Sequence, residues 1–454
     1  MRQKHSSMAS LVRAGRRLLA VATAIAATAL LSACSTPSLP SFGGLFAEKE
    51  EILPGKRIAV LQNESPRETT DAFKASGPVV LPPAVVNSAW SQPGGAPNNA
   101  PGHLGLTGSV KSAWSVDAGS GSSKSGRLTA VPVVADGKVF TLDTEGTVSA
   151  FSLGSGNRLW RVSLKPEKER SRLGFGGGLA LDGGRLFAAT GYGTIVALDP
   201  SSGKVAWTKS YLIPFRNSPT AANGKVFAVN TESLLVCLNA ADGSELWTAR
   251  GLPETATMIS NVSPAVAGDV VVVPYPSGEI AAFDINTGAA RWTDGISRST
   301  VAQASFAGIA EPARPVIDGN AVFAISRSGR MIATERSSGE RLWSRDISGA
   351  QTPWVAGDSI FVVDLNGQLM ALSRKDGKTR WSTSLPDSKT WAGPVLAGGR
   401  LWLASDKGTL VSVDAASGAI ASKADLGTPV YISPVVVAGK LLVMTDKARL
   451  IAMN

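Results

Sequence analysis

The sequence is poor in the residues that do chemistry. It has two cysteines and two histidines in 454 residues. Cys34 ends an N-terminal apolar run, so only Cys237 is left in the body of the chain and no internal disulfide can form there. His5 belongs to the N-terminal leader, and His103 has no Cys, His or acidic cluster near it. A metal centre of ordinary ligand count and a Ser-His-Asp arrangement both lack their histidines. The glycine cluster GFGGG at 174–178 is followed by neither a lysine nor a helix, so it reads as a turn between repeats, not a phosphate loop. No lysine or arginine run marks a nucleic-acid stripe. The formal charge of +10 falls to about +5 once the five cations of residues 1–33 are set aside. No part of the repeat region carries a 3.6-residue apolar period.

What is present is a repeat. Eight segments, from TVSAF to RLIAM, carry a small residue fourth: Ala150, Ala197, Cys237, Ala282, Ala333, Ala371, Ser412 and Ala452. Ten residues after six of these stands a tryptophan: Trp160, Trp207, Trp247, Trp292, Trp343 and Trp381. The seventh such position is Ser422. A glycine lies four residues before each of the seven, at Gly156, Gly203, Gly243, Gly288, Gly339, Gly377 and Gly418. Each copy spans about 38 to 51 residues and reads as four short strands rich in β-branched and aromatic residues. Asp136, Asp182, Asp242 and Asp376 each precede a glycine and read as hairpin formers. Four-stranded units at this period predict an all-β fold, an eight-bladed β-propeller. A solenoid or an open sandwich is the alternative. The tryptophans recur once per blade, which is the pattern of packing between blades. Cys237 stands where alanine stands in other copies and reads as a buried small residue.

The chain ends at ARLIAMN, 448–454, before an eighth tryptophan can follow. Residues 111–117, KSAWSVD, match the fourth-strand pattern, with Trp114 in the tryptophan place. This clasp strand is expected to complete the last blade and close the ring, removing a sheet edge. Loss of a buried Trp114 would cost about 3–5 kcal/mol.

The N-terminus reads as a processing signal. Arg2, Lys4, Arg13, Arg16 and Arg17 precede an apolar run at 18–31 that is too short and abruptly ended for a membrane span. It leads into LSAC at 31–34, which resembles the lipobox of bacterial lipoproteins. The resemblance implies cleavage before Cys34 and its acylation; a secretory signal with a chance cysteine is the alternative. Ser35 stands where an aspartate tends to retain such lipoproteins at the inner membrane, so the outer membrane is implied. Residues 34–83 are rich in proline, serine and charge and read as a periplasmic tether, with an r.m.s. reach of roughly 40 Å. The propeller is assigned to 84–454. It opens with a glycine- and proline-rich lead-in at 84–110 that crosses one face of the ring.

Lipobox, tether and eight glycine-then-tryptophan blades together resemble the BamB family, lipoproteins of the complex that folds β-barrel proteins into the bacterial outer membrane. GHLGL at 102–106 and ARPVIDG at 313–319 add to the resemblance. It implies a non-enzymatic scaffold that binds periplasmic modules of the barrel-forming subunit and aids insertion of outer-membrane proteins. Handing over unfolded client strands along blade edges is a further implication. One family contact loop carries apolar-x-apolar-Arg before the third copy. IPFR stands there, so Ile213, Phe215 and Arg216 are the implied contacts. Alternatively, Phe215 covers a blade edge and Arg216 is solvated. A second family loop carries an acidic pair; IAEPARPV offers Glu311 alone, displaced by one position. The blades also resemble those of pyrroloquinoline-quinone dehydrogenases, and a quinone-dependent periplasmic dehydrogenase is the alternative function. Sites of that family typically use vicinal cysteines, calcium and a catalytic aspartate. This chain has no vicinal cysteines and blades near minimal length, so no cofactor and no metal are expected.

Overall fold

Short β-branched segments joined by glycine turns fold into hairpins, and four such strands make each sheet. The computed structural model describes residues 77–106, 110–124, 126–252, 262–296 and 312–454. The leader, Cys34 and the tether as far as residue 76 lie outside the described residues, as does Glu311. The described residues form eight four-stranded antiparallel sheets, the blades of a β-propeller. In blade one the strands run Val133–Ala135, Lys138–Leu142, Thr147–Ser152 and Arg158–Ser163 from axis to rim. Blades two to seven occupy 177–210, 220–250, 265–295, 316–345, 354–384 and 391–425. The second and third strands are almost wholly buried, because neighbouring blades cover both of their faces. The outer strand alternates, as one face meets solvent.

The pairing register explains the ten-residue spacing. Trp160 lies opposite Ala150, and Ala150 lies opposite Phe140. The small third-strand residue lets the two rings meet above it, with centroids 5.8 Å apart. The same trio recurs as Phe187, Ala197 and Trp207, and as Phe227, Cys237 and Trp247. A bulge just before each tryptophan turns its predecessor outward, which is why Leu159, Leu246 and Leu342 are exposed.

Each tryptophan also locks onto the next blade. The indole N–H of Trp207 donates to the Ala240 carbonyl at 3.1 Å, and that of Trp160 to Pro200 at 3.1 Å. Trp114, Trp247, Trp292, Trp343 and Trp381 donate in the same way to Leu153, Ile285, Arg336, Arg374 and Ala415. The glycine of the next blade's outer turn lies flat against the ring. Gly243 has φ +74°, and a Cβ there would sit 2.6 Å from Trp207. Trp292 and Trp343 are buried; the others, Trp114 included, are half-buried.

The eighth blade takes three strands from 435–453, and its rim strand is Ser112–Asp117. Trp114 pairs with Ala452 there. No turn links its two outer strands in sequence; Lys111 and Asn454 hydrogen-bond in that place. Blade seven therefore has no glycine to dock on, and carries Ser422 where the others carry tryptophan. The hydroxyls of Ser412 and Ser422 hydrogen-bond at 2.6 Å, and the whole strand Ile420–Asp425 is exposed.

The lead-in makes one full circuit of the ring in blade order. The Asn87 carbonyl accepts from Ala438 in blade eight, and Trp90 exchanges two bonds with Val134 in blade one. The Gln92 amide donates to Leu181 in blade two and Ala221 in blade three. Pro97 and Asn98 accept from Val266 and Ile317 in blades four and five. Gly102 accepts from the Trp354 indole in blade six, Leu104 bonds Leu396 in blade seven, and Leu106 bridges to Gly439 in blade eight. Close packing reaches back past residue 84: Val79 is buried, and the Pro78 carbonyl accepts from Arg380 at 2.5 Å.

Candidate partner-binding loop

The loop between the rim strand Val205–Ser210 and the axial strand Thr220–Ala222 carries three of the four implied contacts. It lies at the end of the ring opposite the lead-in. Four of its backbone groups are tied down. Tyr211 donates to the Gly193 carbonyl at 2.7 Å, Phe215 to Thr190 at 3.1 Å, and Pro214 and Arg216 accept from Thr231 and Gly177. Gly193 must be glycine, because its φ is +76° and a Cβ would lie 2.4 Å from the Tyr211 oxygen.

Phe215 is fully buried in the cluster between blades two and three, edge-on to Tyr211 at 5.5 Å. This corrects its expected role as a direct contact. A phenylalanine with both loop neighbours hydrogen-bonded inward fills the blade edge and anchors the loop. The Tyr211 hydroxyl donates to Glu245 at 2.7 Å, and burial, followed by that carboxylate, raises its pKa. Arg216 is half-buried. Its guanidinium lies 3.7 Å from the centre of the Phe175 ring and donates to the Leu173 carbonyl at 3.2 Å and to that of Phe175. Burial lowers its pKa. It clasps two adjacent blade-linking loops, and one edge of it still meets solvent.

The exposed apolar surface lies beside these anchors. Leu212 is completely exposed and Ile213 is half-exposed. Leu173 and Leu252, in the blade-linking loops before and after, are also exposed. Three successive loops at one end of the ring thus each present a leucine. The motif pointed to Ile213 and Arg216 and did not point to the exposed leucines. The signal available was an apolar residue outside any strand in each of three consecutive linkers.

Elsewhere, His103 accepts from the Gly399 N–H through Nε2 at 2.9 Å and so donates from Nδ1 to the Pro82 carbonyl at 2.7 Å. Cys237 is buried, and desolvation pushes its thiol up to about 12. Among the described residues no three His, Cys, Asp or Glu side chains group as a metal site would require.

A family profile described as outer membrane protein assembly factor BamB matches residues 144–383 and 378–454. The chain is 27% identical over 227 residues to the outer membrane protein assembly factor BamB of Nitrosomonas eutropha, covering 48% of this chain and 52% of that one. It is 27% identical over 248 residues to the Bordetella pertussis protein of the same name, covering 53% and 60%. The chain thus spans a little over half the length of these curated relatives. It superposes on BamB from Moraxella catarrhalis with a TM-score of 0.63 at 16% identity, covering 76% of this chain and 98% of that one. It also superposes on quinohemoprotein alcohol dehydrogenase from Comamonas testosteroni, with a TM-score of 0.64 at 15% identity, covering 82% and 81%. At these identities the superpositions speak of fold alone, and the profile, which spans more than half of the sequence, decides between them: this chain belongs to the outer membrane protein assembly factor BamB family.

Proposed function

We propose that this chain is a scaffold lipoprotein of the machinery that assembles outer-membrane β-barrel proteins. In this reading Cys34 carries the lipid, the tether holds the propeller on the periplasmic side of the outer membrane, and the propeller binds periplasmic modules of the barrel-forming subunit. The names of the relatives support the assembly role. The observation that carries the contact is the Leu212–Ile213 tip, apolar and exposed, on a loop whose Phe215 and Arg216 are locked inward. A pre-organised apolar tip with an arginine at its edge is the kind of surface that anchors an interface.

The test is immunoprecipitation from gently solubilised outer membranes. The unaltered chain is expected to bring down an integral β-barrel protein that carries periplasmic domains. Leu212→Glu with Ile213→Glu is expected to abolish recovery while the melting temperature holds. Recovery that survives the double change would place the contact elsewhere on the ring. Absence of any such partner, under conditions where other envelope complexes stay intact, would overturn the scaffold reading.

A further inference from the structure

The ring axis holds a cavity of about 310 Å3 at the end opposite the lead-in. Its walls come from residues before or at the start of the axial strands of blades one, four, five, six, seven and eight, and from Arg327 in the hairpin of blade five. Arg314, from the ARPVIDG motif that the partner loop does not use, lines it and is only 8% exposed. Among the described residues its guanidinium has one hydrogen-bond partner, the Thr352 hydroxyl at a long 3.4 Å. Its Nε has none. Burial pushes its pKa down to about 10, which still leaves it cationic at neutral pH. Arg327 lines the same cavity, and so does Arg127, which lies 4.5 Å from the centre of the Tyr431 ring. No carboxylate lines the cavity among the described residues.

A buried cation with no carboxylate partner among the described residues is costly to keep, and an anionic ligand would offset that cost. A guanidinium pairs with planar anions through parallel N–H donors. The rest of the wall is mixed: Leu128, Ile432, Trp391 and Tyr431 are apolar or aromatic, and Thr129, Gln351, Thr352, Thr390 and Ser433 add neutral polar groups. A cavity of this size accepts one ring-sized group and excludes a folded chain. We propose that the axial cavity binds a compact carboxylate, with Arg314 pairing its charge and the mixed wall, Trp391 and Tyr431 included, packing against its body. The carboxylate could end a peptide or belong to a free organic acid. The site is separate from the Leu212 tip and does not depend on the partner contact.

The test is calorimetric titration of the full mature chain with 3-phenylpropionate, its amide, inorganic phosphate, and a pentapeptide ending in phenylalanine with a free or an amidated terminus. The acids are expected to bind tenfold to a hundredfold more tightly than their amides, the range of charge-assisted hydrogen bonds. Arg314→Gln is expected to reduce the acids to the affinity of the amides. Tighter binding of the free-ended peptide assigns a chain terminus as the ligand; tighter binding of 3-phenylpropionate assigns a free acid. Equal binding of acid and amide, no binding of either acid, or phosphate bound as tightly as the acids would overturn the proposal. The acid-to-amide contrast is read on the unaltered protein, so it stands even if the variant misfolds.

Discussion

Lys111 and Asn454 exchange two backbone hydrogen bonds, at 2.8 and 2.9 Å, and join the two ends of the propeller where the other seven blades have a glycine turn. Ring closure here is non-covalent. The cost falls on the neighbouring blade, whose tryptophan position has nothing to dock against and holds Ser422 instead.

Two substitutions separate the parts of this lock. Trp114→Ala removes a half-buried ring, its bond to Leu153 and its contact with Gly156. It should destabilise the fold by about 2–3 kcal/mol, less than the 3–5 kcal/mol of a fully buried tryptophan. Ser422→Trp should gain nothing beyond about 0.5 kcal/mol, because no glycine faces it. Denaturant midpoints of the two variants decide this; a clear stabilisation by Ser422→Trp would show that the seam offers a docking surface after all.

The partner loop should divide in the same manner between anchor and tip. Phe215→Ala opens a cavity between blades two and three and should cost about 3–4 kcal/mol. Leu212→Glu alters a fully exposed side chain and should leave stability within about 0.5 kcal/mol. Thermal melting of both variants measures the contrast.

Acid sensitivity has a local source in blade four. Arg291 bridges Asp269 at 2.5 Å and Asp284 at 2.6 Å. The Arg291 bond, with backbone donors from Thr287 and Asn286, holds the Asp284 carboxyl well below the usual carboxylate range. A depressed folded-state pKa contributes stability above the unfolded value of about 3.9 and loses it as pH falls toward the folded value. Melting temperature followed from pH 5 to pH 2 should therefore decline less steeply in Asp284→Asn than in the unaltered chain. Both side chains are partly open to solvent, so high salt should shrink the difference.

Cys237 should be silent to thiol reagents in the native state. Its thiol is buried opposite Trp247 and pushed up to about 12, so almost no thiolate exists at pH 8. With Cys34 replaced by serine, a chromogenic disulfide reagent should register no thiol before denaturation and one after it. Rapid native labelling would mean that blade three opens locally.

Much of the architecture was legible because it is periodic and local. Ala150, Trp160 and Gly156 recur at fixed spacings since the hairpin register and the outer turn are set within about ten residues. The clasp strand was legible because Trp114 repeats the fourth-strand pattern. Phe215 was misplaced for the opposite reason. A motif gives residue type, while the direction of its ring depends on Tyr211, Thr190 and the core of the next blade. The exposure of Leu173, Leu212 and Leu252 follows from which linkers share one end of the ring, and no spacing rule encodes it.

The sequence by itself determined the repeat, the strand count, the eight blades and the strand at 111–117 that completes the last of them. Hydrophobic alternation and turn chemistry act over a few residues, and eight copies reinforce the same pattern. Only the tertiary structure decided the circuit of residues 87–106 through all eight blades, the inward lock of Arg216 and the burial of Arg314 at the axis. Each depends on groups far apart in the chain whose meeting is set by ring closure, and burial of charge is a property of the closed ring.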